Sequence, residues 1–231
     1  MPDMRYFQSK DKFLDYAYDI FKPYFPDEDE FIRQFESLPS DEAKNHFLHI
    51  ASFYKLLVRD GKFICTDPDL PEYTDYIDET FRYVALISLI EALYETEEYM
   101  EFFEWLMIKA KQGTLNISTP QSLQGLHETY NQVYGLTQKA TRFFTSLPAD
   151  AQRPILTGLI VGQEPKPIEY LSKLLYRMRS EFVHSAKLIL EIGIGTIITR
   201  RNEKLVVSTL TFEELQRIFE VGVLTYFRFV T

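Results

Sequence analysis

The stretch YRMRSEFVHSAKL, positions 176–188, holds two residues whose side chains suit one reaction, Arg179 and His184. An imidazole titrates near about pH 6.5, so a histidine exchanges protons close to neutrality. A guanidinium stays charged, and its planar fork matches the oxygens of a phosphate. Ser180 lies four residues before His184, on the same helical face, where its hydroxyl can orient the imidazole or bond a phosphate oxygen. The spacing of Arg179 and His184 is the difficulty, because five is not a same-face interval on a helix. The plain alternative is a pair of solvated side chains on an ordinary polar face.

The element that must position them is a helix predicted from about Pro167 to Ile192, stopped by Gly193. On a wheel with Leu171 at zero, Leu174, Leu175, Met178, Phe182, Ala186 and Ile189 gather on one apolar face. Arg179 falls near the edge of that face and His184 well out on the polar side, about 140° apart at 3.6 residues per turn. A single helix joins them in one groove only if Arg179 reaches round its own axis. A second copy packed antiparallel across a twofold axis does so more readily, each arginine approaching the other copy's histidine. Tyr176 and Val183 lie between the two on the wheel and would touch that copy. A homodimer is therefore the expected assembly.

Glu91 is the only charged residue between Val84 and Tyr94, in a segment apolar nearly all round. A buried carboxylate is costly unless paired, and Arg179 at the core's edge is a suitable partner. The alternative is that Glu91 reaches solvent between helices. Lys173, Lys187, Arg200, Arg201 and Lys204 surround the motif and are candidate contacts to a phosphate backbone, with ordinary surface charge as the alternative. Arg177 reads as a surface residue paired with Glu181 one turn on.

The rest of the chain reads as helical, with strand character confined to one place. Thr196–Thr199 and Leu205–Thr209 are β-branched runs around the polar tip RRNEK, a hairpin over about 196–209. A last helix starts at Thr211, with Glu214 completing a capping box. Upstream, helices are predicted over about 10–22, 27–37, 40–59, 74–94, 97–111, 122–146 with a break near Gly135, and 149–160. The Pro/Asp-rich loop CTDPDLPEY suggests a division into residues 1–70, a helical segment of unknown role, and a main body over 71–231. The expected class is all-α with a small β-hairpin.

Composition narrows the function. The net charge is −9, the wrong sign for a general nucleic-acid binder, but it is unevenly placed. Residues 1–110 carry 24 Asp/Glu against 11 Lys/Arg, whereas residues 166–204 carry 4 against 8. A local basic surface can attract phosphate while the remainder repels it. The single cysteine, Cys65, excludes an internal disulfide and a cysteine-rich zinc site. His46 and His49, three apart, are too few for a metal centre. No metal or other cofactor is expected. Phe102, Phe103, Trp105 and Leu106 read as packing rather than a base-stacking platform. There is no apolar leader at the N-terminus and no run long enough to span a bilayer, so a cytoplasmic protein with no membrane partner is expected.

The motif helix resembles that of the HEPN superfamily, in its Apea-like branch. That family's motif is an arginine, a polar residue, a few further residues and a histidine, often with a tyrosine three before the arginine. Here these are Arg179, Ser180, His184 and Tyr176. YVALISLIEALYE resembles the family helix that carries one glutamate, here Glu91, and VYGLTQKATRFF resembles its middle helix. The resemblance covers about residues 80–231. Many members place a glycine directly after the histidine, where this chain has Ser185-Ala186.

The resemblance implies a helical bundle that often dimerises. In active members it implies metal-independent endoribonuclease activity, in RNA processing, antiviral defence or toxin–antitoxin pairs. On that reading Arg179 is the phosphate clamp, His184 the general acid–base, and Ser180, Glu91 and Tyr176 support them. Other members are non-catalytic modules that bind RNA or protein. The acidic N-terminal half would suit a basic regulatory protein partner.

Overall fold

The computed structural model describes residues 4–64, 73–94, 100–115, 117, 119–189, 191–193, 195–201 and 203–229. Cys65 and most of the expected boundary loop lie outside them. The described residues are mostly helical, with one small antiparallel sheet late in the chain.

Capping and punctuation place the N-terminal helices. After a single turn, α1 (Arg5–Gln8), helix α2 (Lys10–Phe21) buries Ala17, Ile20 and Phe21, and Pro23 ends it in a 3-10 turn. The Asp27 side chain accepts from the Glu30 N–H at 2.8 Å and starts α3 (Glu28–Glu36). Ser40 does the same for α4 (Asp41–Phe53), accepting from Ala43 at 3.2 Å. The predicted helix to Arg59 is not uniform, since its last turn, Tyr54–Arg59, is π-helical.

The central helix is α5 (Tyr73–Leu93), with Tyr83, Leu86, Ile87, Ile90 and Leu93 buried. Then follow α6 (Phe102–Lys111), α7 (Pro120–Tyr134) and α8 (Leu136–Ser146), the last two separated at Gly135 where a break was expected. After them come α9 (Ala149–Gly158), α10 (Ile168–Ser185) and α11 (Phe212–Tyr226). α11 begins with the predicted Thr211–Glu214 capping box.

One hydrophobic cluster runs from Ala17 to Phe229, so helices on both sides of residues 65–72 share a core. Phe47 meets Phe227 and Phe229 edge-on, and Tyr54 stacks on Phe219 with centroids 4.8 Å apart. The hydroxyls of Tyr24 and Tyr54 both donate to Glu220 of α11 at 2.8 Å. Burial, then the facing Glu220 carboxylate, pushes both phenols well above their ordinary range.

α8 and α11 approach closely at Gly222. A β-carbon there would overlap the Phe143 ring edge and come within 3.2 Å of Leu147 Cδ2. Gly222→Ala is therefore expected to lower unfolding free energy by about 1–3 kcal/mol, the range for overpacking a filled core. Urea unfolding measures it, and a second change, Phe143→Leu, should recover part of the loss. A Gly222→Ala midpoint equal to wild type would contradict this packing.

Two expectations need correction. The helix predicted over 149–160 ends at Gly158, and Leu159–Val161 form a strand, β1. It pairs antiparallel with β3 (Lys204–Ser208), which also pairs with β2 (Ile197–Arg201), giving the order β1-β3-β2. The hairpin is thus two strands of a three-stranded sheet. Leu159 and Val161 point into the core and Ile160 points out, the period-two pattern of a half-buried strand.

The second correction concerns α10, which ends at Ser185 rather than near Ile192. Ala186 takes the left-handed conformation, φ 51°, and its N–H closes on the Phe182 carbonyl at 2.8 Å. Leaving the helix lets Ile189 and Ile192 reach the core at 3% exposure each, with the Ile189 N–H held by Thr80 Oγ1 at 3.2 Å.

Candidate functional site

α10 packs on α5, α8 and α9 through the face the wheel assigns, where Leu171, Leu174, Leu175 and Met178 are buried. The Tyr83 hydroxyl donates to the Leu175 carbonyl at 2.7 Å and fixes the two helices in register. That register brings Arg179 against α5. Its Nη2 lies 3.2 Å from Glu91 Oε2 and 3.4 Å from Ser88 Oγ, with the Arg179 and Glu91 side chains 17% and 14% exposed. Glu91 therefore meets Arg179 rather than solvent. The guanidinium also sits 6.0 Å from the centre of the Tyr176 ring, a cation–π arrangement.

The contact is end-on. Glu91 Oε1 and Arg179 Nε are both buried without a hydrogen-bond partner among the described residues. A side-on fork would satisfy both atoms. Burial raises the Glu91 carboxyl above its ordinary range, and Arg179, the Tyr176 hydroxyl and Lys139 offset only part of that. Tyr176 is pushed up to about 12 by burial and by the Glu91 charge.

A raised carboxyl favours the protonated folded state. The stability it contributes is present below the ordinary glutamate value of 4.5 and is lost as pH rises through the raised one. Wild type should therefore lose stability relative to Glu91→Gln as pH rises from 4.5 toward neutrality. Urea midpoints of the two proteins across that range test this, and a difference that grows in wild type's favour as pH rises would contradict it.

His184 occupies the last turn of α10, exposed, with no hydrogen bond or ion pair among the described residues. Ser180 is half-buried and likewise without a side-chain hydrogen bond among the described residues. Arg179 and His184 are separated along α10 as the wheel requires, one against α5 and the other in solvent. Val183 between them is 50% exposed and available to a second copy. Tyr176 is half-buried.

The candidate cations divide by strand face. Arg200 is exposed on the same face of β2 as Ile198, which is 64% exposed. Arg201 turns inward. Its Nη1 donates to Glu181 at 2.6 Å and its Nε to Glu191, and its side chain is only 15% exposed. Lys187 lies 3.6 Å from the same Glu181 carboxylate. Glu181 is thus occupied by Arg201 and Lys187, and the expected Arg177–Glu181 pair does not form. Arg177 and Lys204 have no ion-pair partner among the described residues, and Lys173 is exposed.

Glu191 was missed by sequence reasoning although it carried a signal. It is 4% exposed and stands alone among apolar neighbours in LILEIG, the same pattern that singled out Glu91.

His46, His49 and Trp105 are held in packing contacts, whereas Phe103, also read as packing, is 78% exposed. His46 Nε2 is 3.0 Å from the Leu93 carbonyl, and His49 stacks on Tyr6. Trp105 is 6% exposed and packs on Phe102 and Tyr130. Among the described residues no group of three or more His, Cys, Asp or Glu is placed to hold a metal, and no helix is long and apolar enough to cross a membrane. A half-open cavity of about 980 Å³ between α4, α8 and the end of α11 shares no lining residue with the Arg179–Glu91 pair. Comparison of the chain with protein-family models, curated proteins and solved structures finds no match.

Proposed function

We propose that the chain is a metal-independent endoribonuclease of the HEPN type, acting as a homodimer. The observation that carries this reading is the pairing of unlike environments on one helix. Arg179 is fixed by Glu91 and Ser88, while His184 five residues on is free to meet a ligand. Nη2 is used in the fixing and Nε is buried, which leaves Nη1 to face a phosphate.

In the proposed step, neutral His184 takes the proton of the RNA 2′-hydroxyl. The 2′-oxygen attacks the adjacent phosphorus and the bond to the 5′-oxygen breaks. The 5′-oxygen takes a proton from the imidazolium, and a 2′,3′-cyclic phosphate remains. Arg179 stabilises the charge that builds on the phosphoryl oxygens. Tyr176 and Glu91 hold the guanidinium, and Ser180 is close in sequence to both groups.

The test is cleavage of RNA in a chelating buffer, with the ends identified. Cyclic phosphate ends, lost in Arg179→Ala and His184→Ala, are expected. Full cleavage in both variants would rule the reading out. A second reading, a non-catalytic module for RNA or protein binding, draws on the neutralisation of Arg179 by Glu91. It expects RNA or partner binding with no cyclic phosphate product from wild type.

A further inference from the structure

A second site lies on the other side of α10, between that helix and the inner face of the sheet. It is a cavity of about 180 Å³ lined by Tyr170, Leu174, Arg177 and Glu181 of α10, Val161 of β1, Arg201 of β2, and Lys204 and Val206 of β3. That is room for about six waters, enough for a phosphoryl group. Its walls come from two regular elements whose side-chain periods converge there. Residues 170, 174, 177 and 181 form one stripe of the helix, and residues 204 and 206 alternate onto one face of the sheet.

The charges in the cavity are not balanced. Three cations face one carboxylate, and that carboxylate, Glu181, is already taken by Arg201 on one side and Lys187 on the other. Arg201 is spent as well, on Glu181 and Glu191. Arg177 and Lys204 remain without an ion-pair partner among the described residues, both exposed at the cavity mouth. Two unpaired cations beside a neutralised ion pair attract an anion, and the Tyr170 ring supplies an apolar wall.

The cavity also has a fixed relation to His184. Arg177 and His184 are seven residues apart on the same helix, so they lie within about 20° of each other around the axis and roughly 10 Å along it. We propose that this cavity is a phosphate subsite in which Arg177 and Lys204 hold a phosphoryl group, supplied by the RNA backbone flanking the bond that His184 addresses. This deepens, and rests on, the endoribonuclease reading. It also assigns Arg177 a role that its spacing to Glu181 had concealed.

The experiment separates binding from cleavage. A 2′-O-methyl oligoribonucleotide lacks the nucleophile and reports binding alone. Its affinity is measured for wild type and for Arg177→Ser/Lys204→Ser over a salt series. In parallel, inorganic phosphate is titrated against each protein by NMR. Both replaced side chains are exposed and unpaired, so the variant should fold as wild type does.

For a backbone site, the double variant should bind the oligonucleotide more weakly, and the slope of log affinity against log salt should fall by about 1.4 for two lost contacts to a single strand. Loss of inorganic phosphate binding with unchanged oligonucleotide binding would support the same phosphate chemistry with a free anion as its source. Unchanged binding of both ligands would overturn the subsite. That failure is distinct from failure of the endoribonuclease reading, which is judged by cyclic phosphate production from unmodified RNA in the Arg179 and His184 variants.

Discussion

Replacing His184 with alanine should lower RNA cleavage by about 10²–10⁴-fold, the range for losing a general acid–base group. The residue is exposed, in a final helical turn, and has no partner among the described residues to strand. Its loss should therefore leave the unfolding midpoint within experimental error of wild type, so that reduced activity reports chemistry alone. Arg179→Ala should also suppress cleavage, but with a stability cost, because Glu91 would be left in a site where its own side chain is 14% exposed. Arg179→Lys is the sharper companion. It keeps the charge and gives up the fork, so it should retain more stability than activity. A His184→Ala protein that cleaves at the wild-type rate would remove His184 from the mechanism.

The second large effect is on stability. Arg201→Ala is expected to cost about 3–5 kcal/mol, the range for stripping one partner from a buried ion pair. Arg201 joins β2 to α10 through Glu181 and to the segment after His184 through Glu191. Removing it takes the Arg201 charge away from Glu191, which is 4% exposed. The double change Arg201→Met/Glu191→Met should recover much of the loss, since an apolar pair of similar volume often replaces a buried ion pair at little cost. Urea unfolding measures both. A single variant within about 0.5 kcal/mol of wild type, the scatter of ordinary surface changes, would show that the pair does not hold the hairpin.

The reasons these residues matter were unequally legible in the sequence. The buried face of α10 followed from period alone, because Leu171, Leu174, Leu175 and Met178 all pack against neighbouring helices. The caps at Asp27, Ser40 and Thr211 were legible because a short polar side chain before an amphipathic run has one local job. Glu91 was legible because a lone charge in an apolar helix demands a partner.

What escaped the sequence depends on contacts distant along the chain. Leu159–Val161 is three residues long, too short for a period to register, and is a strand only because β3 lies beside it. The end of α10 misled for the opposite reason. Ala186 and Ile189 continue the helical stripe, yet the core takes Ile189 and Ile192 from an irregular segment secured by Thr80 and Arg201. The fate of Glu181 was hidden too. Arg177 lies one helical turn before it on the same face, yet the cation it binds most closely comes from the hairpin twenty residues on. Local spacing proposes a partner, and tertiary packing chooses among competitors.

The central claim is that Arg179 of one copy and His184 of another line one cleft. Mixing two inactive proteins tests it most directly. Arg179→Ala supplies an intact histidine and His184→Ala an intact arginine. A mixed dimer then regains one complete cleft and loses the other. After subunit exchange, random pairing should restore about a quarter of wild-type cyclic phosphate production, since half the dimers are mixed and each carries one working site. If the mixture stays as inactive as either variant alone after exchange is demonstrated, the shared cleft is contradicted.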